Sequence, residues 1–499
     1  MVIHPIFFII GFCLICSEGR QRNVLLIIGD DAGFESQVYN NTACKTPNFN
    51  KLAERSLIIK HAYTSVSSCS PSRSAILTGL PQHQNGQYGL HHSYHHFQSF
   101  DNVKSLPVML KSSGIRTGII GKKHIGPDTV YKFDHEWTEE EYSLLQVGRN
   151  ITNIKNLVHK FLTMDTGPFF LYVAFNDPHR CTGSKYGQFC EKFGDAKSGF
   201  GSIEDWKPTY YALEDVAVPP YLPDTPETRK DISAQYTTYS RLDQGIGLIM
   251  KQLELTGHLN DTLVIYSADN GIPFPNAKTN LYEPGMGEPM LISSPYHTER
   301  WGEVSGSLTS TTDLVPTILD WFNVDFPKYK IFSKEVKPTG LSMLPLLTTE
   351  PSSGWNSVFS SHDLHEVTMY YPMRVIRNQQ YRLIHNLNHG APYPIALDIM
   401  VSPTFNDTLQ RTAEKKPTNW YKTLQQYYYR DEWELFDVNN DPLEVKNLAK
   451  DADHQDVLKN LKENLANWQE ATDDPWRCVP GGVLYQNKCL PLYNSRNEL

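Results

Sequence analysis

Asn23-Val24-Leu25-Leu26-Ile27-Ile28-Gly29 is apolar on both faces and runs straight into Asp30-Asp31. A short strand of this kind is buried on both sides, as in a parallel sheet covered by helices. The pattern returns downstream. Thr117 to Gly121, Phe169 to Phe175 and Thr262 to Ser267 also read as strands. Helices fall between them. Thr46-Pro47 starts one through Leu52 and Ala53, Gly114 ends another that begins at Leu106, and a long amphipathic helix spans about Asp231 to Thr256. The alternation predicts an α/β fold, with a large mainly parallel sheet flanked by helices. Polar clusters follow the strands: Asp30-Asp31, then Lys122 and His124, then Asp177-Pro178-His179-Arg180, then Asp269-Asn270. Sheets of this class place ligands at strand carboxyl ends.

After about residue 370 the pattern changes. Met373 to Arg377 and Tyr381 to Asn386 read as a hairpin, and Trp433 to Asp437 as a further strand. A helix carrying Leu461, Leu465 and Trp468 follows. This predicts a smaller C-terminal α+β domain with an antiparallel sheet, and a division into 20–370 and 371–499. The 499 residues exceed one ordinary core.

The apolar run Ile6 to Cys16, followed by polar residues, has the length of a signal-peptide core, so residues 1–19 are expected to be removed. No later apolar run reaches the ~18 residues of a membrane span, so no membrane anchor is expected. Asn40, Asn150, Asn260 and Asn406 each begin an Asn-x-Thr acceptor for glycosylation. The close pairs Cys181/Cys190 and Cys478/Cys489 point to local disulfides in an oxidising compartment. Cys44 and Cys69 are left as odd thiols. A net charge of −9 argues against a nucleic-acid partner, and 18 histidines make that charge pH-dependent.

Cys69 opens the run Cys-Ser-Pro-Ser-Arg-Ser-Ala-Ile-Leu-Thr-Gly. Ser70 suits a helix cap, Pro71 its first turn and Gly79 its end. That puts Cys69 at a helix N-terminus with Arg73 one turn in. A cysteine there is a low-pKa thiolate nucleophile or a residue to be modified. Asp30, Asp31, Asp269 and Asn270 supply hard oxygen ligands that suit Ca²⁺ or Mg²⁺ better than zinc. An Asp-Asp pair after a strand is by itself more often a cap or a turn. His179 at a strand end is a candidate acid or base.

The run Cys69 to Gly79 resembles the signature of the type I, formylglycine-dependent sulfatases. Gly114-Ile115-Arg116-Thr117-Gly118-Ile119-Ile120-Gly121-Lys122-Lys123-His124 resembles the family's second signature. Thr339 to Leu347, Glu434 to Asp437 and Asp441-Pro442 with Glu444 and Asn447-Leu448 are similar to its later segments. The resemblance implies an alkaline-phosphatase-like sandwich and oxidation of Cys69 by the formylglycine-generating enzyme. It implies one Ca²⁺ on Asp30, Asp31, Asp269 and Asn270. Arg73, Lys122, His124, His179 and Lys278 would serve the sulfate and its leaving group. Thr64 to Arg73, Gly79 to Gly86, Asp177 to Cys181 and the C-terminal cysteines most resemble members that act on N-linked sulfate. For that branch the substrate is a heparan sulfate oligosaccharide ending in N-sulfoglucosamine, the compartment is the lysosome and the assembly a homodimer. Lys278 stands where that branch carries arginine, which keeps the charge but not bidentate contact. The alternatives are an O-sulfatase on a sulfated glycosaminoglycan sugar, a phosphonate or phosphate monoester hydrolase, and a glycosaminoglycan-binding protein without catalysis.

Overall fold

The computed structural model describes residues 22–140, 146–182, 185–485 and 488–491. The expected signal peptide lies outside them. Eight strands form the main sheet: β1 (Asn23–Asp30), β2 (Leu57–Tyr63), β3 (Arg116–Gly121), β4 (His135–Thr138), β5 (Phe169–Pro178), β6 (Thr262–Ala268), β7 (Gly287–Ser293) and β8 (Val304–Ser310). Their order is β4-β3-β5-β1-β6-β7-β2-β8. Only β7 runs against its neighbours, which leaves β2, β3, β5, β1 and β6 pointing the same way.

The doubly apolar pattern of β1 has a direct structural cause. Leu25 and Ile27 pack under the helices Pro47–Ala53, Ile151–Leu162 and Pro226–Leu255, while Val24, Leu26 and Ile28 pack under Cys69–Thr78, Leu106–Lys111 and Leu314–Phe322. Burying each such side chain is worth about 1.5–3 kcal/mol against leaving it in water. The long helix starts at Pro226, five residues before the apolar periodicity shows. Pro226 fits the first turn, where no N–H partner is needed, and the Thr225 side chain accepts from the Thr228 N–H. β5 continues three residues past Phe175 and carries the chain to Pro178.

A second sheet joins Ser357–His362, Met373–Asn378, Tyr381–Asn386 and Trp433–Asp437, all antiparallel. Ile376, Leu383 and Leu435 on one face pack on Leu458, Leu461 and Leu465 of the helix Gln455–Ala471. Val375, Ile384 and Phe436 on the other pack with Tyr63, Tyr282 and Leu308 of the main unit. Arg374 crosses the interior of this region, fully buried between Asp363 (2.8 Å) and Asp474 (2.6 Å). The disulfides Cys181–Cys190 and Cys478–Cys489 are formed, and Cys44 is a buried free thiol. Asn40, Asn260 and Asn406 are exposed. Asn150 is half-buried, and its side chain caps the helix Ile151–Leu162. Among the described residues no helix is long and apolar enough to cross a membrane.

Three buried carboxyls lie away from any cation. Burial raises Glu35 to about 7, Asp313 to about 7 and Asp243 to about 6, against backbone donors that pull the other way. Their unfolded values lie near ~4. Between about pH 4 and 7 each of these three groups therefore binds more protons in the folded chain than in the unfolded one, and their own contribution to stability falls as pH rises, opposite in sign to that of buried histidines such as His83, His362 and His385, whose values burial lowers. Asp313→Asn is expected to flatten that slope, which thermal unfolding of both proteins across this range checks.

Candidate active site

Five chain segments arrive at one sheet edge because β2, β3, β5, β1 and β6 point the same way. β1 ends in Asp30 and Asp31, and Asp31 sits in the left-handed region (φ 57°) with its N–H on Asp269 Oδ1 at 3.0 Å. β6 ends before Asp269 and Asn270. The Asp269 carbonyl accepts from Thr64 Oγ1 (2.9 Å) and Ser72 Oγ (2.5 Å), which ties this strand end to the Cys69 helix. β3 ends at Gly121, where a Cβ would lie 2.0 Å from the Ala174 carbonyl oxygen. That close approach lets the Lys122 N–H bond the same oxygen at 2.9 Å and turns Lys122 over the sheet edge.

The helix after β2 spans Cys69–Thr78 and ends at Gly79 with φ 69°. Its cap position is Ser68, so the expectation of Ser70 as the cap is corrected: the helix starts two residues earlier, at Cys69. The Ser70 hydroxyl instead accepts from the His91 N–H at 3.0 Å. Cys69 is 1% exposed, with Sγ 3.8 Å from Asp31 Oδ1. Burial pushes its thiol well up despite Lys122 and Lys278 nearby. The low-pKa thiolate reading therefore fails, because desolvation outweighs the helix end and the two lysines.

Asp30, Asp31, Asp269 and Asn270 converge and are fully buried. Arg73 binds Asp269 through Nε (2.9 Å) and Asp30 through Nη2 (3.1 Å), and Nη1 donates to the Lys122 carbonyl. Arg73 is 0% exposed and bonded to these partners, and it is not among the residues that line the cavity. Lys122 Nζ reaches both Asp30 oxygens, at 2.8 and 2.6 Å. Burial alone would raise the Asp30 carboxyl, but Lys122, His179 and Arg73 hold it well below the usual range.

Lys278 Nζ makes three contacts: Asp31 Oδ2 (2.8 Å), His179 Nε2 (3.2 Å) and Asp398 Oδ2 (3.2 Å). His179 donates from Nδ1 to the Arg180 carbonyl at 2.7 Å, so its Nε2 is the acceptor for Lys278. The His179 turn is fixed from below. Arg241 binds both oxygens of Asp177 (2.6 and 2.8 Å), and Arg149 donates to the His179 carbonyl (2.9 Å). His124, also at φ 57°, meets His92 through Nε2 at 2.6 Å. Burial, then Lys122 and His92, hold its ring well below the ordinary histidine value.

These groups open on a cavity of about 600 Å³, the size of a small-ligand site. The wall also includes Asp398, His365, His92, Glu366 and Tyr186. None of them belongs to a motif visible in the chain. Asp398 comes from a four-residue helix, Leu397–Met400, 120 residues past Lys278. The structure thus gathers every predicted acidic, lysine and histidine position, sets Arg73 behind them, and adds Asp398.

Two orthogonal features suit a divalent cation. The donor set is hard oxygen, and the buried Asn270 Oδ1 has no hydrogen-bond partner. Asp30, Asp269 and Cys69 offer atoms within 4.8 Å of one another, as do Asp31, His179 and Cys69.

The chain belongs to the sulfatase family: residues 22–324 match the sulfatase family model. Membership brings a formylglycine and a metal ion. Residues 404–471 match a second model, the C-terminal region of N-sulphoglucosamine sulphohydrolase. The human N-sulphoglucosamine sulphohydrolase is 56% identical over 494 residues, covering 98% of this chain and 97% of that protein. A solved sulfatase from Bacteroides thetaiotaomicron, titled as putative, superposes with a TM-score of 0.65 at 20% identity, over 95% of this chain and 97% of its own. A phosphonate monoester hydrolase of Agrobacterium radiobacter does so at 0.62 and 17% identity, over 95% of this chain and all of its own. At these identities the two structures establish the fold alone.

Asp398 holds the third hydrogen of Lys278 and supplies a charge next to it. Asp398→Asn is expected to lower kcat roughly tenfold, about 1.4 kcal/mol of barrier. Its melting temperature is expected to stay within about 3 °C of the parent. Steady-state kinetics with thermal unfolding checks both.

Proposed function

We propose that this chain is a lysosomal sulfamidase that hydrolyses the N-linked sulfate of terminal N-sulfoglucosamine during heparan sulfate degradation. The observation that carries the reading is the 56% identity to the human enzyme over 98% of the chain, in a chain whose charged site positions are all filled. In this reading Cys69 is the residue converted by the formylglycine-generating enzyme. Asp30, Asp31, Asp269 and Asn270 hold the cation, which is Ca²⁺. Once converted, position 69 would offer a hydroxyl as nucleophile, and a cation held by these four residues would supply Lewis-acid polarisation there.

The chain's own residues do the rest. Lys122 and Lys278 set two fixed positive charges where negative charge develops on the sulfuryl oxygens. Arg73 helps keep Asp30 ionised and holds Asp269 in place, where burial pushes the carboxyl up to about 7 against the pull of Arg73. His179 points Nε2 into the cavity with its other nitrogen fixed on a backbone carbonyl. The Lys278 ammonium donates to that nitrogen, so the two form a pair able to hand a proton to the leaving amine. His124 is the base on the opposite wall. The burial that keeps both rings neutral at mildly acidic pH is what allows them to accept a proton there.

Residues 1–19 act as the signal peptide in this reading, and 20–370 and 371–499 are the two domains. Asn40, Asn150, Asn260 and Asn406 carry glycans, and the protein is a homodimer. An O-sulfatase uses the same sulfuryl chemistry, so the substrate decides between them. Sulfate release from a disaccharide ending in N-sulfoglucosamine is expected to exceed release from its 6-O-sulfated, N-acetylated counterpart by at least ~100-fold, about 2.7 kcal/mol. Equal rates, or a preference for the O-sulfate, would sink the assignment. Cys69→Ala is the control and is expected to be inactive on both.

A further inference from the structure

The loop Leu90-His91-His92-Ser93-Tyr94-His95-His96-Phe97 carries four histidines, of which His92 and His95 line the cavity and His92 meets His124 directly. His92 Nδ1 lies 2.6 Å from His124 Nε2, and the two rings lie 4.7 Å apart between centroids. One proton sits between these two nitrogens. Whichever ring holds it fixes the state of the other His124 nitrogen. That nitrogen, Nδ1, is buried and has no hydrogen-bond partner.

The contact is built in. The Ser70 hydroxyl holds the His91 N–H at 3.0 Å, and His91 Nδ1 meets the Phe97 carbonyl at 3.1 Å. A Cβ at Gly126 would lie 2.3 Å from the His91 ring, so only glycine admits this packing. His95 packs edge-on against His92 at 5.2 Å, and its Nδ1 accepts from the Val367 N–H. On the other side, the Glu140 carboxylate accepts the His124 N–H at 2.6 Å.

We propose that His92 is a positioning residue for His124: it accepts the proton on His124 Nε2 and so keeps His124 Nδ1 bare as the proton acceptor in the cavity. The inference rests on the sulfatase reading of the site. The step moves one proton and no electrons. A hydroxyl in the cavity gives its proton to His124 Nδ1, and the Nε2–H bond to His92 stabilises the imidazolium that results. The proton then leaves to water in the cavity.

The opposite arrangement needs a hydrogen on His92 Nδ1, supplied by the other neutral tautomer or by protonating the ring. Its Nδ1–H would then donate to His124 Nε2 and force the proton onto Nδ1. The groups facing His92 oppose protonation. Partial burial comes first, then Lys122, His95, His179 and His91, and together they bring His92 down to about 4. Around His124, Lys122 and Arg73 act in the same sense, and Asp30 acts against them. Protonation of His92 therefore does not bring about the opposite arrangement at mildly acidic pH, and the neutral tautomer of the pair is what the variants below read.

His92→Phe removes the acceptor, and His92→Gln supplies an amide oxygen in its place. Both are measured as full-length enzyme with residue 69 conversion quantified by mass spectrometry, on N-sulfoglucosamine and on a simple aryl sulfate, from pH 4 to 8. H92F is expected to lose at least tenfold in kcat on both substrates, with KM within twofold and the melting temperature unchanged. H92Q is expected to recover to within about threefold of the parent, with its acid limb moved to lower pH. The proposal is overturned if H92F keeps kcat within twofold, or if H92Q falls as far as H92F. Failure of the parent on N-sulfoglucosamine with activity on the aryl sulfate would refute the substrate reading instead, and would leave the His92 comparison intact on the aryl sulfate.

Discussion

One buried guanidinium holds the two halves of the acidic site together. Arg73 reaches Asp269 at the end of β6 and Asp30 at the end of β1, and also binds the Lys122 carbonyl after β3. Carboxylates at 0% exposure strongly disfavour ionisation unless charge and hydrogen bonds compensate. Removing Arg73 would leave several like charges in an apolar setting, at a cost on the order of 3–5 kcal/mol. The rest of the site depends on this anchor. Lys122 lies over Asp30, the Asp31 N–H donates to the Asp269 carboxylate, and Cys69 sits at the N-terminus of the helix that carries Arg73.

The same constraint explains why the cysteine is poorly suited to act as it is encoded. A thiol among carboxylates at 1% exposure is held protonated, because burial outweighs the neighbouring lysines. The environment favours a neutral group that can be polarised by a cation, and it disfavours a free thiolate. Cys69 and Arg73 are four residues apart on one helix, so the nucleophile position and the charge anchor move as one body. The sheet edge supplies everything else.

Much of this was legible in the chain, for physical reasons. The core strands were readable because a strand buried on both faces has to be apolar throughout, as Val24 to Ile28 are. The polar residues at strand ends were readable because each cluster follows its strand without a gap. Arg73 is only half legible in the chain. Its charge is visible in the sequence, but its burial and its two carboxylate partners lie 43 and 196 residues away. Ser70 suits a cap by residue type alone, but the helix begins two residues sooner, capped at Ser68. Asp398 and His92 were missed because neither lies in a motif or at a strand end. Long-range folding alone brings them to Lys278 and His124.

The account stands most directly on the state of residue 69. Preparations made with and without coexpressed formylglycine-generating enzyme would be scored by mass spectrometry of the peptide containing position 69. Sulfate release from N-sulfoglucosamine would be measured on the same samples. The account predicts that specific activity rises in proportion to the oxidised fraction and extrapolates to zero for unmodified cysteine. Full activity in enzyme whose Cys69 is unmodified would contradict it.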